Sequence, residues 1–239
     1  MKDTLIIIPI RLNAKRFPNK PFAKIGNLPM LHYVYERVLD ITDNLYLAIC
    51  DQEVKEYCED LDLKYIMTEP NHKSGSDRIG EAIKKLEEII EFKFVINVQG
   101  DMPFINYKHI KLLREKLLKF QISTLACPFI SLNEAKNNSK VKVITDENEC
   151  VLDFTRVLDN GLKINENVFH HIGVYAYHKN SLLNFISLPQ TKREHDEKLE
   201  QLRIIDTHKI GISIVNEEIL GVDTKEDLDR VNWLLLKNE

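Results

Sequence analysis

The stretch from Thr4 to Tyr35 contains no acidic residue and only one glycine, Gly26. The second scarcity excludes two common ways of holding a nucleotide. A Walker loop needs G-x-x-x-x-G-K-[ST], and a dinucleotide fingerprint needs G-x-G-x-x-G; neither can be written here. Cysteine is sparse too. Cys50, Cys58, Cys127 and Cys150 are scattered with no C-x-x-C, which argues against a disulfide framework and for thiols kept reduced in a cytoplasmic setting. The first apolar run, Leu5–Ile10, is too short for a signal core or a membrane span, so no membrane insertion is expected. No Gly/Pro/Ser-rich linker, low-complexity segment or internal repeat interrupts the 239 residues, and one domain over 1–239 is the expectation. The net charge of -4 argues against a general nucleic-acid binder.

What fills the acid-free stretch is positive charge. Arg11, Lys15, Arg16, Lys20 and Lys24 follow the apolar run directly. Without these five, 28 Lys and Arg would face 37 Asp and Glu, a net of -9. A basic loop at the end of a buried strand, in an otherwise anionic chain, suits a polyanionic ligand, although a solvated turn has the same composition. With no glycine cradle, phosphate would be held by side chains, Arg as a bidentate fork and Lys as a point charge. Pro18 and Pro21 would stiffen the loop.

Apolar runs alternate with helix-period segments through the first half. Strands are expected at Leu5–Ile10, Leu45–Cys50, Lys64–Met67, Phe94–Val98 and Thr124–Pro128, with helices at Pro29–Leu39, Gln52–Asp60, Asp77–Ile90 and Tyr107–Phe120. Ser76 is a candidate cap for the third helix. This rhythm implies an α/β fold with a mostly parallel sheet flanked by helices. The second half is richer in strands, at Val141–Thr145, Val151–Thr155, Val168–Tyr177 and Ile210–Val215, with helices at Lys179–Ile186 and His195–Ile205. Thr224-Lys225-Glu226-Asp227 has capping-box spacing and opens a last helix. In such sheets ligands lie beyond the carboxyl ends of the strands, so Arg11–Lys20, Asp51, Gln99–Pro103 and Gly221–Thr224 matter most.

Four further segments carry candidate chemistry. In Asn97-Val98-Gln99-Gly100-Asp101-Met102-Pro103, Asp101 can present a carboxylate over the sheet edge. Mg²⁺ needs only one or two carboxylates besides phosphate and water, and Asp223 is the candidate partner. Each aspartate also has a plain structural role, as a turn former or at a helix N-terminus. Ser74-Gly75-Ser76-Asp77-Arg78 can read a base or phosphate, or simply cap a helix. In His170-His171-Ile172-Gly173-Val174-Tyr175-Ala176-Tyr177, a strand would put His171, Gly173, Tyr175 and Tyr177 on one side as a polar–aromatic stripe. The adjacent histidines would face opposite sides, which disfavours zinc. Leu199-Glu200-Gln201-Leu202-Arg203 is by itself an ordinary helical segment.

In this order, the segments resemble the 3-deoxy-manno-octulosonate (Kdo) cytidylyltransferases, the CMP-Kdo synthetase family. The basic loop and Ile25–Met30 look like the family's I-P-A-R-x-x-S-x-R-L-P-x-K-P and I-x-G-K-P-M. Ser74–Arg78 resembles S-G-T-[DE]-R, and Asn97–Pro103 resembles N-V-Q-G-D-E-P. Phe154-Thr155-Arg156, His171–Tyr177, Leu199–Arg203 and Gly221–Leu228 resemble F-S-R, H-[IL]-G-[IL]-Y-[AG]-Y, L-E-Q-L-R and G-V-D-T-x-E-D-L. The likeness spans nearly the whole chain. It implies a Rossmann-like nucleotide-diphospho-sugar transferase fold with a smaller β-rich sugar-binding and dimerisation portion. It also implies transfer of the cytidylyl group of CTP to Kdo in lipopolysaccharide biosynthesis, Mg²⁺ as cofactor, and a homodimer.

By the same resemblance, Arg11, Arg16 and Lys20 hold the triphosphate, and Ser74 and Arg78 recognise cytosine. Asp101 and Asp223 ligate Mg²⁺ and, with Arg11 and Lys20, form the catalytic group. Gln99, Arg156, His171, Tyr175, Glu200 and Gln201 line the sugar-acid pocket. Several residues depart from the pattern. Met102 replaces a glutamate, Asn13 and Lys15 replace small residues and serine, and Val157–Gly161 replaces S-x-I-P after Arg156. Ile204–His208 replaces an apolar–aromatic run. Since the loop after Arg156 would help close the implied sugar pocket, an amino variant such as 8-amino-Kdo is a live alternative, with Asp159 or Asp206 as candidate partners for its ammonium. Two other readings stand beside it. Sialic-acid-like enzymes open with R-G-G-S-K-x-[IL]-P, whose glycines this loop lacks. A non-catalytic nucleotide-binding regulator would not need both Asp101 and Asp223.

Overall fold

The protein is seen in a computed structural model that describes residues 1–12, 17–72, 74–159 and 163–238. In chain order, β1 (Thr4–Pro9) is followed by a short hairpin, β2 (Lys24–Ile25) and β3 (Leu28–Pro29), then α1 (Met30–Leu39), β4 (Leu45–Ile49) and α2 (Gln52–Asp60). Next come β5 (Tyr65–Met67), α3 (Gly75–Leu86), β6 (Phe94–Asn97), α4 (Tyr107–Lys116), β7 (Ile122–Cys127) and α5 (Leu132–Ala135). The chain continues through β8 (Lys142–Thr145), β9 (Val151–Thr155), β10 (Val168–His178), α6 (Lys179–Ser187) and α7 (Lys192–Glu197), and closes with β11 (Ile210–Ile214) and α8 (Lys225–Asn238). These elements gather into two compact units, 1–107 with 219–239, and 108–218.

The first unit is a parallel α/β layer in the order β6-β1-β4-β5. β1 takes the centre because five consecutive residues, Thr4 to Ile8, can all be buried. Its Ile6 lies opposite Leu45 on one side and Ile96 on the other. Helix α1 turns Met30, Leu31, Val34, Tyr35 and Val38 inward, the 3.6-residue spacing the sequence shows. Helix α3 begins at Gly75, two residues earlier than expected. Its cap is Ser74, whose Oγ accepts from the Asp77 backbone N–H at 3.1 Å, while Ser76 is buried. Gly26 turns the β2–β3 hairpin at φ 58°, where a side chain would be strained. Asn232 of α8 brackets that turn, accepting from Gly26 N and donating to Lys24 O. The box at Thr224 forms as expected: Asp227 N donates to Thr224 Oγ1 and Thr224 N donates to Asp227 Oδ2.

The second unit is β-rich. β11 and β7 run parallel, and β10 is antiparallel to both β7 and β8, with β9 antiparallel to β8 beyond. A bulge between Ile172 and Tyr175 shifts the register of β10 on β7. The helix expected over His195–Ile205 is instead α7 and a separate 3-10 turn at Glu200–Arg203. The break has a local cause. A capping box between Thr191 and Glu194 starts α7 early, and Lys198 at φ 55° ends it.

Candidate active site

Seven of the expected site residues converge in the first unit. Arg11, Lys20, Ser74, Arg78, Gln99, Asp101 and Asp223 line one open pocket, together with Phe17 and His72. The pocket lies where the loops leave the carboxyl ends of β1 and β6 and where α3 begins, as expected for an open parallel sheet. Arg16 and Lys15 lie outside the described residues.

The basic loop is fixed at both ends. Leu12 N donates to Asp51 Oδ2 at 3.1 Å, so the carboxylate at the end of β4 anchors the chain just after Arg11. At the far end Asn19 takes a left-handed conformation, and Lys20-Pro21-Phe22 forms a 3-10 turn. Lys20 Nζ thereby reaches across the pocket. It donates to Asp101 Oδ2 at 2.7 Å and to Val222 O at 2.9 Å, and stands 3.5 Å from Asp223 Oδ1. The two carboxylates expected to take a metal, 101 and 223, therefore meet at a single ammonium. Val222 N returns a bond to Asp101 O at 2.8 Å, locking the two segments together. Space is tight at Gly100: a Cβ there would sit 2.5 Å from Ile10 Cδ1 and 3.3 Å from Pro9 O.

Arg78 lines the pocket and is only 3% exposed. It donates to Thr68 Oγ1, which itself donates to Ile49 O. Gln99, assigned by resemblance to the sugar acid, lies in this same pocket with its Nε2 on Asn97 Oδ1 at 3.0 Å. His72 bonds to Glu81, whose carboxyl is held at about 2 by bonds from Lys85, Glu69 N and His72, against the opposing effect of burial.

The remaining expected residues belong to the second unit. Arg156, at the end of β9, donates from Nε to Glu197 O at 2.7 Å and reaches Asn138 O and Lys198 O at 3.3 and 3.4 Å. His171 shares a 3.0 Å hydrogen bond with Thr124 Oγ1 and packs edge-on against Phe154 and against Tyr175. Burial pulls its pKa down to about 3, so its ring is neutral near neutrality and cannot act there as a cation. The Tyr175 hydroxyl is buried and makes no hydrogen bond among the described residues. Tyr175 and Tyr177, both beyond the bulge between Ile172 and Tyr175, are neighbours with ring centroids 5.8 Å apart. Glu200 and Gln201 lie on the 3-10 turn, with Glu200 Oε1 at 3.8 Å from Arg203 Nη2. Asp159 and Asp206, the candidate ammonium partners, are both exposed.

A family model described as cytidylyltransferase matches residues 5–214. The chain belongs to the cytidylyltransferase family. This nucleotidyltransferase is 36% identical to a 3-deoxy-manno-octulosonate cytidylyltransferase of Phocaeicola vulgatus, over 98% of this chain and 97% of that protein. It is also 36% identical to an 8-amino-3,8-dideoxy-manno-octulosonate cytidylyltransferase of a Shewanella species, over 95% and 96%. Among solved structures, a CMP:2-keto-3-deoxy-manno-octonic acid synthetase complexed with CTP superposes with a TM-score of 0.89 at 31% identity, covering 99% of both chains.

Residue-by-residue reading missed several polar groups of this cytidylyltransferase. Glu194 is 4% exposed and holds Arg203 with both carboxylate oxygens. The Thr-x-x-Glu spacing at 191–194 could have located it. Lys142 is fully buried, and Lys140 bridges Glu134 and Glu218 beside His170. No local pattern marks either lysine, because both are defined by partners from distant segments.

Proposed function

We propose that this protein transfers the cytidylyl group of CTP to the anomeric hydroxyl of Kdo or its 8-amino variant, as a cytoplasmic, homodimeric, Mg²⁺-dependent enzyme of lipopolysaccharide biosynthesis. The observation that carries the reading is the convergence of Lys20, Asp101 and Asp223 in one pocket behind the basic loop. The anomeric oxygen attacks the α-phosphorus, the bond to the bridging oxygen breaks, pyrophosphate leaves with that electron pair, and the hydroxyl proton goes to solvent. Two anions must meet and the leaving group gains charge. Arg11 and Lys20 oppose that charge from the pocket wall.

Asp101 and Asp223 fit a divalent cation. Each offers a carboxylate to one point, both are partly exposed, and Mg²⁺ accepts one or two carboxylates with phosphate oxygens completing its shell. When bound there, Mg²⁺ supplies charge neutralisation for the phosphates. On the sugar side, the fork of Arg156 suits a carboxylate, and His171 and Tyr175 offer a neutral, partly aromatic wall. Unpaired Cys50, Cys58, Cys127 and Cys150 accord with a reducing compartment. Exposed Ile130, Leu132 and Leu152 on the second unit are apolar surface that a second copy would cover.

The test measures pyrophosphate release with each of four nucleoside triphosphates, Mg²⁺, and Kdo, 8-amino-Kdo or sialic acid. CTP with one Kdo-type acid should give turnover. No release with any Kdo-type acid would overturn the reading, and preference for sialic acid would replace it with the related sugar class.

A further inference from the structure

Lys142 is a fully buried lysine. Among the described residues no carboxylate contacts it. Its Nζ donates to Asn137 O at 2.8 Å, Lys140 O at 2.9 Å and Arg156 O at 2.9 Å. An ammonium has three donors, and all three are used. Burying a charge without a counter-ion is costly, and a methionine or leucine would fill the same space without that cost. The three carbonyls belong to the segment before β8 and to the end of β9, so the ammonium ties these two segments together where Arg156 stands.

Arg156 is held in a matching way. Among the described residues its guanidinium bonds carbonyls alone, strongly from Nε and loosely from the two terminal nitrogens. Two neighbouring cations therefore share a region in which neither has an acidic partner among the described residues. Such a pair suits an anion, and the two terminal nitrogens of Arg156, at 3.3 and 3.4 Å from their carbonyls, are its least firmly held donors. We propose that Lys142 is a positioning residue for the sugar acid's carboxylate, fixing the Arg156 backbone from beneath and adding its own positive field to the Arg156 fork. This inference rests on the sugar-acid reading above.

The groups facing Lys142 determine its pH behaviour. Arg156 directly follows β9, whose last residue Thr155 is paired with Lys142, and His170 is opposite Lys142 in the β8–β10 register. The Lys140 side chain turns away to Glu134 and Glu218. Burial first, then the charge of Arg156, lowers the Lys142 pKa from 10.5. His170 is shifted down by burial, Lys140 is shifted up by its two glutamates, and the Cys127 thiol near His170 is pushed up to about 12. Lys142 is thus the member of this group that loses its charge first as pH rises above neutrality.

The experiment compares Lys142→Met and Lys142→Arg with the wild type, using whichever sugar acid supports pyrophosphate release. Lys142→Met should raise the KM for the sugar acid roughly tenfold or more, the loss typical of a charge-assisted contact, with the KM for CTP within about twofold. The wild-type KM for the sugar acid should climb on the alkaline side before ordinary lysines titrate. Lys142→Arg, if it folds, should lack that climb. Equal changes in both KM values, or an unchanged alkaline limb in Lys142→Arg, would overturn the proposal. A second readout needs neither turnover nor the variants' full stability. Phenylglyoxal modification of Arg156, followed by peptide mass spectrometry, should speed up severalfold in the wild type as pH rises through the Lys142 titration, relative to an exposed reference such as Arg230. A constant ratio overturns the proposal even if no sugar acid is turned over, and absence of turnover with an altered ratio overturns only the substrate reading.

Discussion

Replacing Lys20 by methionine removes one ammonium and leaves the Asp101 and Asp223 carboxylates facing each other. Three contacts are lost, at 2.7 Å to Asp101, 2.9 Å to Val222 O and 3.5 Å to Asp223. The side chains of the two aspartates are 28% and 51% exposed, so water screens much of the interaction. The stability cost should be about 1 kcal/mol or less, as for other partly exposed ion pairs. The catalytic cost should be larger. Removing a preorganised donor from a developing negative charge lowers kcat by roughly 10²–10³, or about 2.7–4 kcal/mol. The two magnitudes separate the roles. A structural lysine would lose stability and activity together, whereas a phosphate clamp loses activity well beyond stability. A third measurement sharpens the test. In the free enzyme Lys20 competes with any divalent cation for the two carboxylates, so Lys20→Met should bind Mg²⁺ alone more tightly than the wild type, by calorimetry, while turning over CTP more slowly. A fall in kcat/KM of less than about tenfold, with weaker Mg²⁺ binding, would refute the assignment of this constellation to nucleotidyl transfer.

Other outcomes follow from the same geometry. Gly100→Ala should lower activity, because the new methyl displaces the Ile10 Cδ1 methyl and shifts the Asp101 loop from Pro9 O by a few tenths of an ångström; an unchanged kcat/KM in the pyrophosphate assay would contradict that close approach. Breaking the buried Glu194–Arg203 pair by Glu194→Gln or Arg203→Met should each cost about 3–5 kcal/mol, while the double replacement costs less than the sum, as read by denaturant unfolding. His171 has a folded pKa of about 3 against 6.5 for a free side chain, so the unfolded chain binds its proton at higher pH. Its neutral burial is therefore fully favourable above pH 6.5 and loses ground as pH falls toward 3, and His171→Asn should flatten that part of the thermal-stability profile.

The parallel layer was legible because its signals are local. The unbroken apolar run Leu5–Ile8, rich in β-branched residues, suits a strand buried on both faces, and the spacing of Met30, Leu31, Val34 and Val38 suits one buried side of a helix. Element ends were less legible where two signals compete. Ser74 and Ser76 are both plausible caps, and the choice fell to Ser74 because Ser76 is needed inside the packing. The expected single helix over 195–205 failed because Lys198 adopts a left-handed turn that its sequence does not announce.

By itself, the sequence determined the α/β rhythm, the acid-free basic loop and the ordered motifs that place Arg11, Lys20, Asp101 and Asp223 among the residues to watch. Those features depend on neighbours along the chain, through periodicity, charge runs and turn residues. Only the tertiary structure decided that Lys20 stands between the two aspartates, that Gly100 is squeezed against Ile10, that His171 is kept neutral, and that Lys142 holds the backbone under Arg156. Each of these depends on groups brought close by folding from far along the chain, and burial and charge at such sites are properties of the enclosing shell rather than of the residue.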